Sequence, residues 1–124
     1  MTKKILIVED EKSLAEALYE KFTKEKFNVV IAKHGEEGLK KAKKEKPDLI
    51  LLDIIMPVMD GLTMLKKMRS EDWGKDIPVI MLTNLNDSDK IDESLKEGAY
   101  DYLVKTSWKL EDIMKKVNKK IGKK

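Results

Sequence analysis

The chain has 124 residues, 41% of them hydrophobic and 40% charged, which suits one domain with a packed interior under a densely ionic surface. It holds no cysteine and a single histidine, His34, which excludes disulfides, thiolate metal sites and a histidine metal cluster. A net charge of +3 against 26 basic and 23 acidic residues calls for no nucleic-acid partner. With no signal-peptide pattern and no apolar run of membrane-spanning length, a cytoplasmic location without membrane contact is expected.

Ile5–Val8 is the first short apolar run, and Glu9, Asp10 and Glu11 follow it directly. Leu14, Leu18 and Phe22 then recur on one face of a predicted helix. Val29–Ile31 is the second run, and Leu39 and Ala42 mark the helix after it, with His34 in the connecting loop. Lys46-Pro47-Asp48 introduces the third run, Leu49–Leu52, which Asp53 follows; proline pushes the residue before it out of helix. Leu62, Leu65 and Met68 predict a third helix, and Met56, Met59, Met64 and Met68 read as packing residues. A charged loop over Ser70–Asp76 carries Trp73, expected half-exposed. Asp76-Ile77-Pro78 precedes the fourth run, Val79–Leu82, with Thr83 next. Ile91 and Leu95 form a thinner helical stripe that Gly98 suits as a stop. Tyr102–Val104 is the fifth run, with Lys105 next, and Leu110, Ile113, Met114, Val117 and Ile121 predict a final amphipathic helix. The lysines from Lys115 to Lys124 read as a solvated face, favoured near a helix C-terminus.

The apolar runs are continuous rather than alternating, as strands buried on both faces require. Strand and helix alternate five times with no linker or repeat, so residues 1–124 are expected to form a single domain with no output domain attached. Such a pattern implies a parallel sheet wrapped by helices on both sides, the flavodoxin-like (βα)5 fold with strand order 2-1-3-4-5. Ligands of these sheets bind beyond the carboxyl ends of the strands, where the order reverses. Glu9, Asp10, Asp53, Thr83 and Lys105 all fall at those ends. Strands 1 and 3 are neighbours roughly 5 Å apart, so Glu9, Asp10 and Asp53 are expected to converge. Three carboxylates repel one another unless a cation joins them, and oxygen-only ligands suit Mg²⁺. With Lys105 and that cation the site is neutral. Each residue has a plainer role when taken singly: an Asp after a strand caps a helix or forms a turn, and a lone Lys is solvated. Their joint occurrence at the strand ends marks a site.

The segments Ile5–Glu11, Leu51–Gly61 (with Asp53, Met56-Pro57 and Met59-Asp60-Gly61), Pro78–Thr83 and Gly98–Lys105 resemble the receiver domain of bacterial two-component response regulators, over essentially the whole chain. The resemblance implies a phosphorylation-activated signalling switch rather than an enzyme with a separate substrate. It implies that Asp53 accepts a phosphoryl group from a sensor histidine kinase or phosphotransfer protein. Asp10, Asp53 and the backbone carbonyl of Ile55 become the direct Mg²⁺ ligands, with Glu9 acting through water. Thr83 and Lys105 become the phosphoryl-binding hydroxyl and ammonium. Tyr102 becomes the switch aromatic that follows Thr83, relaying the change to the face of helix 4, strand 5 and helix 5 and so to an unidentified downstream protein. Pro57 and Gly61 become shaping residues of the loop, with glycine tolerating backbone conformations that others resist.

The sequence departs from the family pattern in two places. Thr106 stands where the family carries a proline in a cis peptide; a cis bond before Thr costs about 3–4 kcal/mol, so a trans bond with a rearranged loop or a strained cis bond is expected. Asn84 replaces a smaller residue. Ile55 and Leu85, which flank the path of hydrolytic water, are both apolar, so slow loss of the phosphoryl group is expected. Trp108 is either a contact residue on the helix 4 to helix 5 face or a packing anchor. Two enzyme or carrier readings are weaker. A haloacid-dehalogenase-type phosphohydrolase needs an acid at position 55. An FMN carrier needs a phosphate loop where Glu9-Asp10-Glu11 stands. The remaining alternative is a pseudo-receiver that binds partners without phosphorylation.

Overall fold

The computed structural model describes residues 2–83, 88–104 and 109–122. Asn84, Leu85, Lys105, Thr106 and Trp108 lie outside the described residues, and so do the expectations placed on them. The elements run β1 (Lys4–Val8), α1 (Lys12–Lys24), β2 (Asn28–Ala32), α2 (Gly35–Glu45), β3 (Leu49–Asp53), α3 (Gly61–Arg69), a 3-10 turn (Asp72–Gly74), β4 (Val79–Thr83), α4 (Ser88–Lys96), β5 (Asp101–Val104) and α5 (Leu110–Ile121). All five strands are parallel, in the order β2-β1-β3-β4-β5, as predicted.

Alternation along the strands divides the interior into two halves. On one side of the sheet Leu6, Val8, Ile50, Leu52, Val79 and Met81 meet Ala42, Met64, Leu65 and Met68 of α2 and α3. On the other, Ile5, Ile7, Leu49, Leu51, Ile80 and Leu82 meet Leu18, Phe22, Ile113 and Val117 of α1 and α5. Because β1, β3 and β4 are covered on both faces, they contain almost only large aliphatic residues. Met56, Met64 and Met68 are buried and Met59 packs against the first half, as their sequence reading has it; Trp73 is half-exposed, as expected, and packs against the same half.

Two local features differ from the sequence reading, and a third follows it. Leu95 is 41% exposed; α4 turns Ile91 and the buried Ser94 inward, so its apolar stripe is narrower than Ile91 and Leu95 suggest. His34 is the N-cap of α2, where its Nδ1 accepts the Glu37 backbone N–H at 3.3 Å. Lys46, before Pro47, leaves α2 through the left-handed region (φ 50°), its N–H still bonded to the Ala42 carbonyl. The residue before Pro47 is thus out of the helix, as expected, in the left-handed form of a helix C-cap.

Candidate functional site

β1 and β3 end side by side, and the chain leaves them toward opposite faces of the sheet. This is the reversal point of a doubly wound fold. The β1–β2 ladder continues one residue past Val8, with the Glu9 N–H donating to the Ala32 carbonyl at 3.0 Å. That bond fixes Glu9 at the rim, 1% exposed, where its Oε2 accepts the Glu11 N–H at 3.0 Å. Asp10 is exposed at the mouth. Asp53 is the last residue of β3, level with Leu82 of β4 and 3% exposed. Glu9, Asp10 and Asp53 each offer a carboxylate oxygen, and these oxygens lie within 4.8 Å of one another. At that spacing a hard cation is the group that relieves the repulsion, and the all-oxygen donor set fits Mg²⁺.

Thr83 ends β4 beside this cluster, 2% exposed, and pairs with Val104 of β5. Lys105, next in the chain, is outside the described residues. Tyr102 pairs with Met81 and is 36% exposed, so its ring borders solvent rather than the interior.

The loop from Ile54 to Asp60 sets the Asp53 backbone. The Ile54 N–H donates to the Leu82 carbonyl at 2.9 Å and the Gly61 N–H to the Ile54 carbonyl at 2.8 Å. Between them Met59 donates to the Pro57 carbonyl at 2.7 Å across Val58, whose φ is +69°; this is a γ-turn. A β-branched residue there is strained, by a cost on the order of 1–3 kcal/mol. The turn is pinned from outside by the Gly35 N–H, which donates to the Met59 carbonyl at 3.0 Å. Gly61 has a different reason from the one its sequence context suggests. Its φ is not positive; instead, a Cβ at this position would overlap the Asp53 carbonyl oxygen. The left-handed position belongs to Val58, which no residue type in the sequence signals. Asp60 caps α3 by accepting the Thr63 N–H at 2.8 Å. The Ile55 N–H reaches Asp53 Oδ1 at 3.4 Å, a weak contact, and the Ile55 side chain is open to solvent.

Fold and rim together define a doubly wound α/β protein with an acidic, oxygen-only pocket at its switch point. Comparison with known proteins carries this further. Residues 5–118 match the model of the response regulator receiver domain. The alkaline phosphatase synthesis transcriptional regulatory protein PhoP of Bacillus subtilis is 42% identical over 106 residues, covering 85% of this chain and 43% of that protein. The chemotaxis protein CheY4 of Vibrio cholerae superposes with a TM-score of 0.89 at 31% identity, covering 97% of this chain and 99% of that one. A chain of the CheX–CheY–BeF3–Mg²⁺ complex of Borrelia burgdorferi superposes with a TM-score of 0.88 at 32% identity, covering 98% of this chain and 90% of that one. This chain belongs to the response regulator receiver domains of two-component systems. Members of that family are phosphorylation-regulated signalling switches that bind Mg²⁺ at an acidic pocket and interact with histidine kinases or phosphotransfer proteins. The chain spans less than half the length of curated relatives such as PhoP, at 43%, and the Streptomyces coelicolor regulator AfsQ1, at 44%. Among the described residues, no helix is long and apolar enough to cross a membrane.

Proposed function

We propose that Asp53 is the phosphoryl acceptor of this chain, and that a sensor histidine kinase or phosphotransfer protein supplies the group. The observation that carries the reading is the meeting of Glu9, Asp10 and Asp53 within 4.8 Å, beside a buried Thr83 on the adjacent strand. Asp10, Asp53 and the Ile55 carbonyl oxygen would hold Mg²⁺ directly, and Glu9 would act on it through water. When bound, the cation offsets the charge of the carboxylates and of the transferring phosphoryl oxygens.

The Asp53 carboxylate attacks the phosphorus of a phosphohistidine. An O–P bond forms as the P–N bond breaks, and its electron pair leaves with the imidazole nitrogen. Burial of Asp53 keeps water away from the nucleophile and strengthens its interactions with neighbouring charge. The Thr83 hydroxyl and the Lys105 ammonium hold the phosphoryl oxygens. Thr83 moves toward the new group and Tyr102 turns inward after it, which biases the α4-β5-α5 face between two states read by a downstream protein. The outward position of Tyr102 supports its role as the element that moves. Water later attacks the phosphorus, releasing phosphate and restoring Asp53, so the chain serves its own turnover.

Acetyl phosphate with Mg²⁺, followed by intact mass, tests the assignment. A single phosphoryl adduct is expected, lost in Asp53→Asn and in EDTA. An adduct that survives Asp53→Asn moves the acceptor elsewhere. No response to acetyl phosphate or beryllofluoride leaves the pseudo-receiver, a phosphorylation-independent binding module.

A further inference from the structure

A second concave site lies between the C-terminal halves of α2 and α3 and the 3-10 turn. Its cavity is about 410 Å³, lined by Leu39, Lys40, Lys43, Lys67, Glu71 and Trp73. That volume falls in the range of small-molecule pockets, about 300–1,000 Å³. Leu39 and Trp73 pack against the buried half of the core beneath them, so the apolar floor is fixed. The turn that carries Trp73 is held as well: the Arg69 guanidinium donates to the Gly74 carbonyl at 2.7 Å, and Gly74 presses on Met68 so closely that a Cβ would overlap it.

The rim is cationic. Lys40, Lys43 and Lys67 make no ion pair among the described residues and face one carboxylate, Glu71. Their sequence neighbours behave otherwise: Lys41 pairs with Glu37 at 3.0 Å and Lys66 with Glu93 at 2.6 Å. Helix dipoles favour cations in the last turn, which accounts for Lys43 and Lys67. They do not account for Lys40, about a turn earlier, or for the grouping of all three around an indole. Three ammonium groups with spare charge over a fixed apolar and aromatic floor fit a ligand that is anionic at one end and a flat ring at the other.

We propose that this cleft binds a small aromatic anion of the nucleotide class, with the ring against Trp73 and Leu39 and the phosphate among Lys40, Lys43 and Lys67. The site is separate from the acidic rim and independent of the role of Asp53.

The test is a ¹H–¹⁵N titration of the full chain with AMP, adenosine and pyrophosphate, in EDTA so that no cation bridges phosphate to the acidic rim. Trp108→Phe assigns the two indole signals. AMP is expected to move the Trp73 indole N–H saturably, more weakly as salt rises. Adenosine or pyrophosphate alone should bind less tightly. The exposed double substitution K40E/K43E should weaken AMP binding about tenfold while leaving the backbone spectrum native. A silent Trp73 signal, an AMP response unchanged by K40E/K43E, or pyrophosphate binding as tightly as AMP overturns the proposal.

Discussion

Two residues of the loop after Asp53 carry separable consequences. Gly61 sits where any side chain would meet the Asp53 carbonyl oxygen, and that oxygen cannot retreat because β3 is clamped between β1 and β4. Gly61→Ala is therefore expected to cost about 1–3 kcal/mol in urea denaturation, the range for an overpacked interior, and to slow phosphorylation because the proposed acceptor, Asp53, moves with its backbone. A variant as stable and as fast as the parent refutes the account of the glycine. Ile55 is 47% exposed two residues after Asp53, the proposed acceptor, and offers no group that orients water. Replacing it in Ile55→Asn with Leu85→Glu introduces two such groups. The acyl phosphate is expected to decay faster in that double variant, and a lifetime equal to or longer than the parent's rules out water exclusion by Ile55 and Leu85 as a control on that lifetime.

Arg69 holds three elements together. Its guanidinium and Nε donate to the carbonyls of Gly74 at 2.7 Å, Gly98 at 2.9 Å and Glu97 at 3.2 Å, tying α3 to the 3-10 turn and to the end of α4. Gly98, with φ +94°, makes the turn that brings those last two carbonyls round, which a side chain there would strain. Partial burial pulls the Arg69 pKa below its usual value, opposed by Asp76, yet the group stays charged and bonds through all three of its nitrogens. Arg69→Ala leaves three carbonyls to find water and should cost about 2–3 kcal/mol by chemical denaturation, with Arg69→Lys recovering only part. At the start of α2 the bonds run in both directions. His34 receives the Glu37 N–H, and Glu37 Oε1 receives the Lys33 N–H at 2.7 Å. That backbone bond, more than Lys41, holds the Glu37 pKa below its ordinary value, against the opposing effect of burial. A depressed folded pKa means the stabilisation is present above the unfolded value of roughly 4.3 and is lost as pH falls through the folded one. Glu37→Gln is expected to lower the thermal midpoint at neutral pH and to narrow the gap to the parent as the solution is acidified below about pH 4. A gap that stays constant or widens excludes the linkage.

For the whole molecule, the acidic rim sets function against stability. Three carboxylates held within 4.8 Å repel in the absence of a cation, and only the folded chain brings them together. Anything that binds the folded form alone raises its melting temperature in proportion to the logarithm of its concentration. The melting temperature is accordingly expected to rise with Mg²⁺ and fall in EDTA. Asp53→Asn should melt higher than the parent in EDTA, because one repelling charge is gone, and should respond less to Mg²⁺. An identical Mg²⁺ response in parent and variant removes Asp53 from the metal site.

Much of this was legible in the chain alone. Five apolar runs separated by helical stripes determine a parallel sheet covered on both sides: the central strands β1, β3 and β4, which have no polar face, are buried twice, while the edge strands β2 and β5 are only partly buried. The positions of Glu9, Asp10, Asp53 and Thr83 at the ends of those runs follow from counting residues. Tertiary structure decided what counting cannot reach. The close approach of Gly61 to the Asp53 carbonyl, the left-handed Val58, His34 as a cap, the outward Leu95 and the lysine-rimmed cleft around Trp73 depend on where other segments arrive in space. Strand and helix periodicity is a local property, written wherever side chains must alternate between water and core. Contacts between residues far apart in sequence leave no such period, so only the assembled fold reveals them.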